Sequence, residues 1–157
     1  MTVIAARCLV EGEAEGALAL WSAPLSFWGG FDAASGRVID RTHPAFGADV
    51  GGRVLAMPSG RGSSSASSVL AEAIRRGTAP AAIILARVDP ILVVGALVAH
   101  RLYGKACPIV VCGAADFAGL ADGVRARVIA RGDSCAIMVS EDDARQIPDS
   151  IILERDR

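Results

Sequence analysis

Apolar and polar positions along the chain change their rhythm near residue 53. Before it, apolar residues come in short bursts interrupted by glycine and proline; after it, longer apolar runs alternate with segments of helical period. Residues 3–10 and 17–21 predict two strands around the turn-like EGEAEG, and residues 37–40 predict a third after a Ser-Gly turn. Pro24, Gly29, Gly30, Pro44, Gly47, Gly51 and Gly52 punctuate this part, so short strands and long loops are expected. Residues 54–57, 65–76, 81–86, 91–103 and 108–112 then read as strand, helix, strand, helix, strand, a βαβαβ unit. In the first of these helices Ala66, Val69, Leu70, Ala73 and Ile74 share one face, Arg75 and Arg76 occupy the last turn, and Gly77 can close it. The second has Asp89 as N-cap, Pro90 at its first position and Gly104 just beyond its end; residues 91–99 are apolar nearly all round, which predicts a buried helix.

After residue 112, GAADFAGL predicts a short helix, and residues 123–130 and 135–139 predict two strands about the turn RGDS. The closing SIILERDR reads as a strand or a tail. There is no internal repeat and no linker that would divide the chain, so residues 1–157 are expected to form one α/β domain.

Composition narrows the picture. Hydrophobic residues make up 52% of the chain and aromatics only 4%, so the core is built of Ala, Val, Ile and Leu. Sixteen Lys and Arg against 17 Asp and Glu leave a net charge of -1, which gives no overall field for nucleic acid or an anionic membrane. MTVIAARCLVEGEAEG has no basic segment followed by an apolar stretch and a cleavage site, and the apolar runs at 79–86 and 90–99 fall short of the ~20 residues of a spanning helix; a cytoplasmic location is expected. Cys8, Cys107, Cys112 and Cys135 form no C-x-x-C pair, and no histidine stands near to complete a zinc site, so reduced structural thiols are expected and no metal held by this chain alone. Cys107 and Cys112 flank an extended run at an odd separation, which points them to opposite faces.

The chemistry concentrates in residues 58–68, PSGRGSSSASS, where an apolar strand ends and an amphipathic helix begins. That is the crevice position at which open α/β sheets bind ligands. Glycine lets backbone approach a ligand closely, and the first N–H groups of a helix are unpaired and carry the positive end of its dipole. Ser63, Ser64 and Ser65 add hydroxyls, and Arg61 between Gly60 and Gly62 could clamp a carboxylate. Plainer roles are open for each: serine is a favoured N-cap, and a loop arginine is often simply solvated. The run lacks the lysine of a P-loop, the third glycine of a dinucleotide fingerprint and the closing glycine of a nucleophile elbow. A serine hydrolase would also need His43, in a loop beside Pro44, or His100, inside a helix. Five of the seven aromatics fall in the first third, and Phe27-Trp28-Gly29-Gly30-Phe31 reads as a loop that either anchors an interface or covers the small β-layer. Asp32 and Asp49 could serve as acids, although solvated loop carboxylates are commoner.

PLSFWGGFDAASGRVIDRTHP together with LAMPSGRGSSSASSVLAEAIRRGTAPAAIILARVDPILVVGALVAHRLYGKACPIVV closely resembles the aconitase X small subunit, or swivel domain, over residues 22–111. The FWGG loop, the GRGSSS turn, the GTAPAAII strand entry and the DPI helix start carry the resemblance. It implies a swivelling β/β/α fold that closes over a larger subunit bearing an iron or iron-sulfur centre and most substrate contacts. In aconitase the corresponding turn reads G-x-G-S-S-R and the first serine after the second glycine is the base; that position here is Ser63, with Arg61, Gly62, Ser64 and Ser65 as substrate contacts. Ser65 stands where aconitase has a substrate-binding arginine, so carboxylate recognition would pass to Arg61 or to the large subunit. The resemblance implies a hydro-lyase active only with that subunit. Bacterial-type members dehydrate cis-3-hydroxy-L-proline and archaeal-type members mevalonate 5-phosphate; GSSSAS, in place of the archaeal GST-V-GS, favours the first. A non-catalytic anion-binding module is the alternative of another class.

Overall fold

The chain opens with three consecutive strands: β1, Thr2–Ala5, β2, Arg7–Val10, and β3, Gly12–Leu20. Apart from Glu11, which links β2 to β3, the glycine-rich EGEAEG therefore lies inside a strand and is not the expected turn. Its glutamates alternate on one face, where Glu15 pairs with Arg125 at 2.6 Å and Glu13 pairs with Arg127 and Arg131 of β9, Arg125–Arg131. Its glycines answer close approaches: a Cβ on Gly16 would come within 2.6 Å of the Gly52 carbonyl oxygen, and one on Gly12 within 3.2 Å of Pro108. The structure, a computed structural model, describes residues 1–140; SIILERDR lies outside the described residues.

β3 joins two sheet segments. Its first six residues run antiparallel to β9, and Leu18, Ala19 and Leu20 run parallel to β6, Val54–Met57. From β6 the chain passes through α2, Ala66–Arg76, β7, Ala82–Leu85, α3, Pro90–Tyr103, and β8, Ile109–Val111, with β6, β7 and β8 adjacent and parallel. The βαβαβ reading holds, with α2 beginning one residue later than expected. β10, Ser134–Ser140, completes an eight-stranded sheet of order β1-β10-β9-β3-β6-β7-β8-β2. Its two ends, β1 and β2, are separated only by Ala6, whose N–H donates to Cys135 O at 3.3 Å, so the sheet curls until its edges meet.

Curling makes three layers. Val54, Ala56, Ala82, Ile84 and Val110 face Ala126, Val128, Ala130, Ile137 and Val139 across one core. Leu55, Met57, Ile83, Leu85 and Ile109 point the other way, onto Leu70, Ala73 and Ile74 of α2 and Leu92, Ala96 and Ala99 of α3. Because both faces of β6, β7 and β8 are covered, these strands read as continuous apolar runs. Cys107 and Cys112 fall in different cores, as their spacing predicts, and all four thiols are free. Burial pushes the Cys107 thiol up to about 12, which keeps it protonated and inert.

The caps are where the sequence places them. Gly77 closes α2 in the left-handed region at φ +76°, and the Asp89 carboxylate caps α3 by accepting from Ile91 N at 2.9 Å. α3 is not buried all round, however. Leu92, Gly95, Ala96 and Ala99 face inward, while Val94, Leu97, Val98 and Leu102 are exposed, because helices cover only one side of this sheet. No described helix is long and apolar enough to cross a membrane.

α2 and α3 touch backbone to backbone at Gly95, where an added Cβ would lie 2.6 Å from Ser67 O. Gly95→Ala should therefore force the helices apart and cost about 1–3 kcal/mol. Urea denaturation of the variant beside the parent measures this; an unchanged midpoint would contradict the close approach.

Candidate active site

Residues 59–65 leave the C-terminal end of β6 between two walls. On one side Leu25 forms a parallel bridge with Gly60, and its carbonyl oxygen accepts from Arg61 N at 3.2 Å. On the other, the Pro58 carbonyl oxygen accepts from Ala86 N at 3.1 Å and Arg87 N at 3.0 Å, and the Asp89 carboxylate fills the place a Gly60 Cβ would need. Gly62 sits at φ +89°, and a Cβ there would come 2.5 Å from Ser26 Oγ. Both glycines are thus required by space, and Gly62 also by backbone conformation.

α2 then begins with a tight turn. Ser63 O accepts from Ala66 N at 3.0 Å and Ser64 O from Ser67 N at 3.2 Å, and Ser63 Oγ accepts from Ser65 N at 3.1 Å. Ser63 thus uses its hydroxyl as the cap, a role the terminal Ser65 does not take. Ser67 and Ser68 turn their hydroxyls back onto the carbonyls of Ser64 and Ser65 at 2.8 Å each. The hydroxyls of Ser64 and Ser65 make no hydrogen bond among the described residues. Arg61, Gly62, Ser63 and Ser64 are exposed, and Ser65 is half-buried. The turn therefore offers solvent an arginine, three hydroxyls and the N-terminal end of an 11-residue helix.

Arg61 is held. Its Nη2 lies 3.1 Å from Asp40 Oδ2, while Asp40 Oδ1 accepts from Thr42 N at 2.9 Å and Thr42 Oγ1 at 2.7 Å. These Thr42 bonds, with Arg61 beside them, hold the Asp40 carboxyl below its ordinary value, which favours the carboxylate. Sequence reading missed Asp40: it stands 21 residues away from its partner and carries no local signal except an Asp-x-Thr turn. Arg87 was missed too; its Nη2 donates to Ser59 Oγ at 3.2 Å from the end of β7.

The remaining candidates separate clearly. The FWGG segment is one kinked turn, α1, Phe27–Gly30, with Phe27 fully buried against Phe31 at 4.8 Å and Trp28 57% exposed, so the aromatic cluster both covers the small layer and leaves a ring outside. The expected strand at 37–40 shrinks to β5, Arg37–Val38, paired with β4, Phe31–Asp32, because Asp40 is engaged in its turn. Asp32 and Asp49 form turns, accepting from Ala34 N at 3.1 Å and Gly51 N at 2.8 Å. His43 is buried. Its Nδ1 accepts from Ala45 N at 3.0 Å, which leaves Nε2 to donate to Ala23 O at 3.1 Å, and Trp21 stacks edge-on against it. Both ring nitrogens are occupied, so His43 does not serve a serine. Among the described residues no three His, Cys, Asp or Glu side chains gather as metal ligands, so the described donors do not by themselves assemble an iron site.

Residues 3–138 match the model of the aconitase X swivel domain. The chain belongs to that family. The swivel domain is 49% identical over 128 residues to the cis-3-hydroxy-L-proline dehydratase of Pseudomonas aeruginosa, covering 77% of this chain and 22% of that protein. It is 42% identical over 93 residues to the phosphomevalonate dehydratase small subunit of Methanothermobacter thermautotrophicus, covering 59% of this chain and 71% of that one. The crystal structure of Thermococcus kodakaraensis aconitase X in its holo-form superposes with a TM-score of 0.79 at 31% identity, over 90% of this chain and 100% of that chain. The swivel domain thus corresponds to about a fifth of the Pseudomonas enzyme and to most of the archaeal small subunit.

Gly62→Ala should lose the turn's geometry, since the left-handed backbone and the Ser26 contact both oppose a methyl group. A thermal unfolding midpoint lowered by several degrees, or a displaced turn in the variant's structure, is the expected outcome; a variant with parent stability and the same backbone at residue 62 would contradict it.

Proposed function

We propose that this swivel domain is the small component of a hydro-lyase whose substrate is cis-3-hydroxy-L-proline, and that Ser63 is its general base. The observation that carries the reading is Ser63 Oγ, exposed at the start of α2 and accepting the Ser65 N–H at 3.1 Å. A serine hydroxyl is a poor base in water. A donor already aimed at its oxygen, together with the positive end of α2, favours the alkoxide form. The alkoxide takes the proton from the carbon next to the substrate carboxylate, hydroxide leaves the adjacent carbon as water after protonation, and an enamine forms that tautomerises to a pyrroline carboxylate. Arg61 meets the carboxylate, Gly62 lets backbone come close, and Ser64 and Ser65 offer their uncommitted hydroxyls to the substrate.

A larger partner is part of the proposal. The site is open and shallow on this chain, and the Pseudomonas relative is several times longer than the stretch matched here. Iron or an iron-sulfur cluster belongs to that partner, whose residues also complete the cleft. The substrate preference is supported by the higher identity to the Pseudomonas dehydratase and by GSSSAS at the turn.

In the complex reconstituted with its larger partner, turnover of cis-3-hydroxy-L-proline is expected, with none of mevalonate 5-phosphate. Ser63→Ala should leave assembly intact and lower kcat by about 10²–10⁴-fold. Unchanged turnover removes Ser63 from the chemistry, and turnover of the phosphorylated substrate alone overturns the substrate assignment.

A further inference from the structure

We infer that Asp40 is a positioning residue, which fixes the Arg61 guanidinium over the Ser63 turn in the orientation that receives a substrate carboxylate. The inference rests on the proposed role of Arg61.

Arg61 and Asp40 differ sharply in exposure: the arginine side chain keeps 54% of its accessible surface and the aspartate 18%. The carboxylate is thus the fixed member of the pair and the guanidinium the presented one. Three donors converge on Asp40: Thr42 N and Thr42 Oγ1 on Oδ1, and Arg61 Nη2 on Oδ2. Its backbone is anchored as well, since Asp40 N donates to Gly30 O at 3.3 Å and Asp40 O accepts from His43 N at 3.1 Å. At its other end Arg61 is tied through its own N–H to Leu25 O. The long side chain is therefore restrained at both ends, and one nitrogen of its fork is spent on Asp40. The rest of the guanidinium makes no hydrogen bond among the described residues and is exposed, so it can donate outward.

Stability does not explain the arrangement, because a half-exposed ion pair contributes little to folding. Preorganisation does. An arginine that waits in its bound rotamer loses less side-chain freedom when the carboxylate arrives, and its fork keeps the planar geometry that a carboxylate matches. Removing the Asp40 charge should then weaken substrate binding and leave the proton transfer at Ser63 largely alone.

Asp40→Asn keeps the acceptor for Thr42 and removes the charge facing Arg61. In the reconstituted complex it should raise KM about tenfold with kcat within about twofold, and it should add nothing to Arg61→Ala in a double-mutant cycle. Thr42→Val, which only loosens Asp40, should shift KM the same way by less. Full additivity with Arg61→Ala, or a fall in kcat at constant KM, would overturn the inference. A second readout does not depend on turnover: in the full 157-residue chain, nitrogen relaxation of the Arg61 side chain should show restricted motion, lost in Asp40→Asn. Equal mobility in both proteins would overturn the inference even if the complex were active. An inactive complex with Arg61 still restrained would fail the proposed reaction and leave the Asp40 contact standing.

Discussion

The swivel domain is organised around a gap too narrow for a side chain. Where β6 ends, the backbone must pass between Leu25 and Ser26 on one side and the Asp89 carboxylate on the other, and Gly60 and Gly62 are the residues that fit. Once through the gap the chain is already turned into α2, so Ser63 emerges at the helix start with its oxygen against the Ser65 N–H. Each wall has a second duty. Asp89 caps α3, and Leu25 leads into the FWGG turn whose Phe27 is sunk in the helix-side core. The turn is thereby tied to both helices and to the small β4 and β5 layer, and its geometry is as stiff as the core that carries it.

The three-layer architecture explains why so rigid a turn stands at an open surface. The curled sheet buries one face on itself and the other beneath α2 and α3, and the C-terminal ends of β6 and β7 form a rim at which the exposed residues 61–64 lie. Loops from that rim and from the β5 region meet there, bringing Asp40 and Arg61 together across 21 residues of chain. In the function proposed above, this rim is the part of the cleft that the chain supplies, and the larger partner supplies the rest.

Much of this was legible in the sequence. The βαβαβ unit is written in period changes, caps and covered strands, and the serine turn announces itself by lying between an apolar strand and an amphipathic helix. Two misreadings have physical causes. EGEAEG looks like a turn because glycine is ambiguous: at Gly12 and Gly16 it marks close backbone approach, and the alternation of Glu13 and Glu15 against the arginines of β9 is visible only once the pairing is known. α3 looks buried because its composition is apolar, while burial depends on how many layers cover it. Asp40 was not legible at all, since its meaning lies in contact with a residue far along the chain, and a lone aspartate before Arg-Thr predicts only a turn.

The central claim is that the start of α2 makes the Ser63 oxygen a base and aims it at the substrate. A structure of the complete complex with cis-3-hydroxy-L-proline bound tests this most directly. The account predicts Ser63 Oγ about 3–3.5 Å from the carbon that bears the departing proton, with the Ser65 N–H still on that oxygen. A substrate seated with that carbon against a different basic group, and Ser63 Oγ turned away from the cleft, would contradict it.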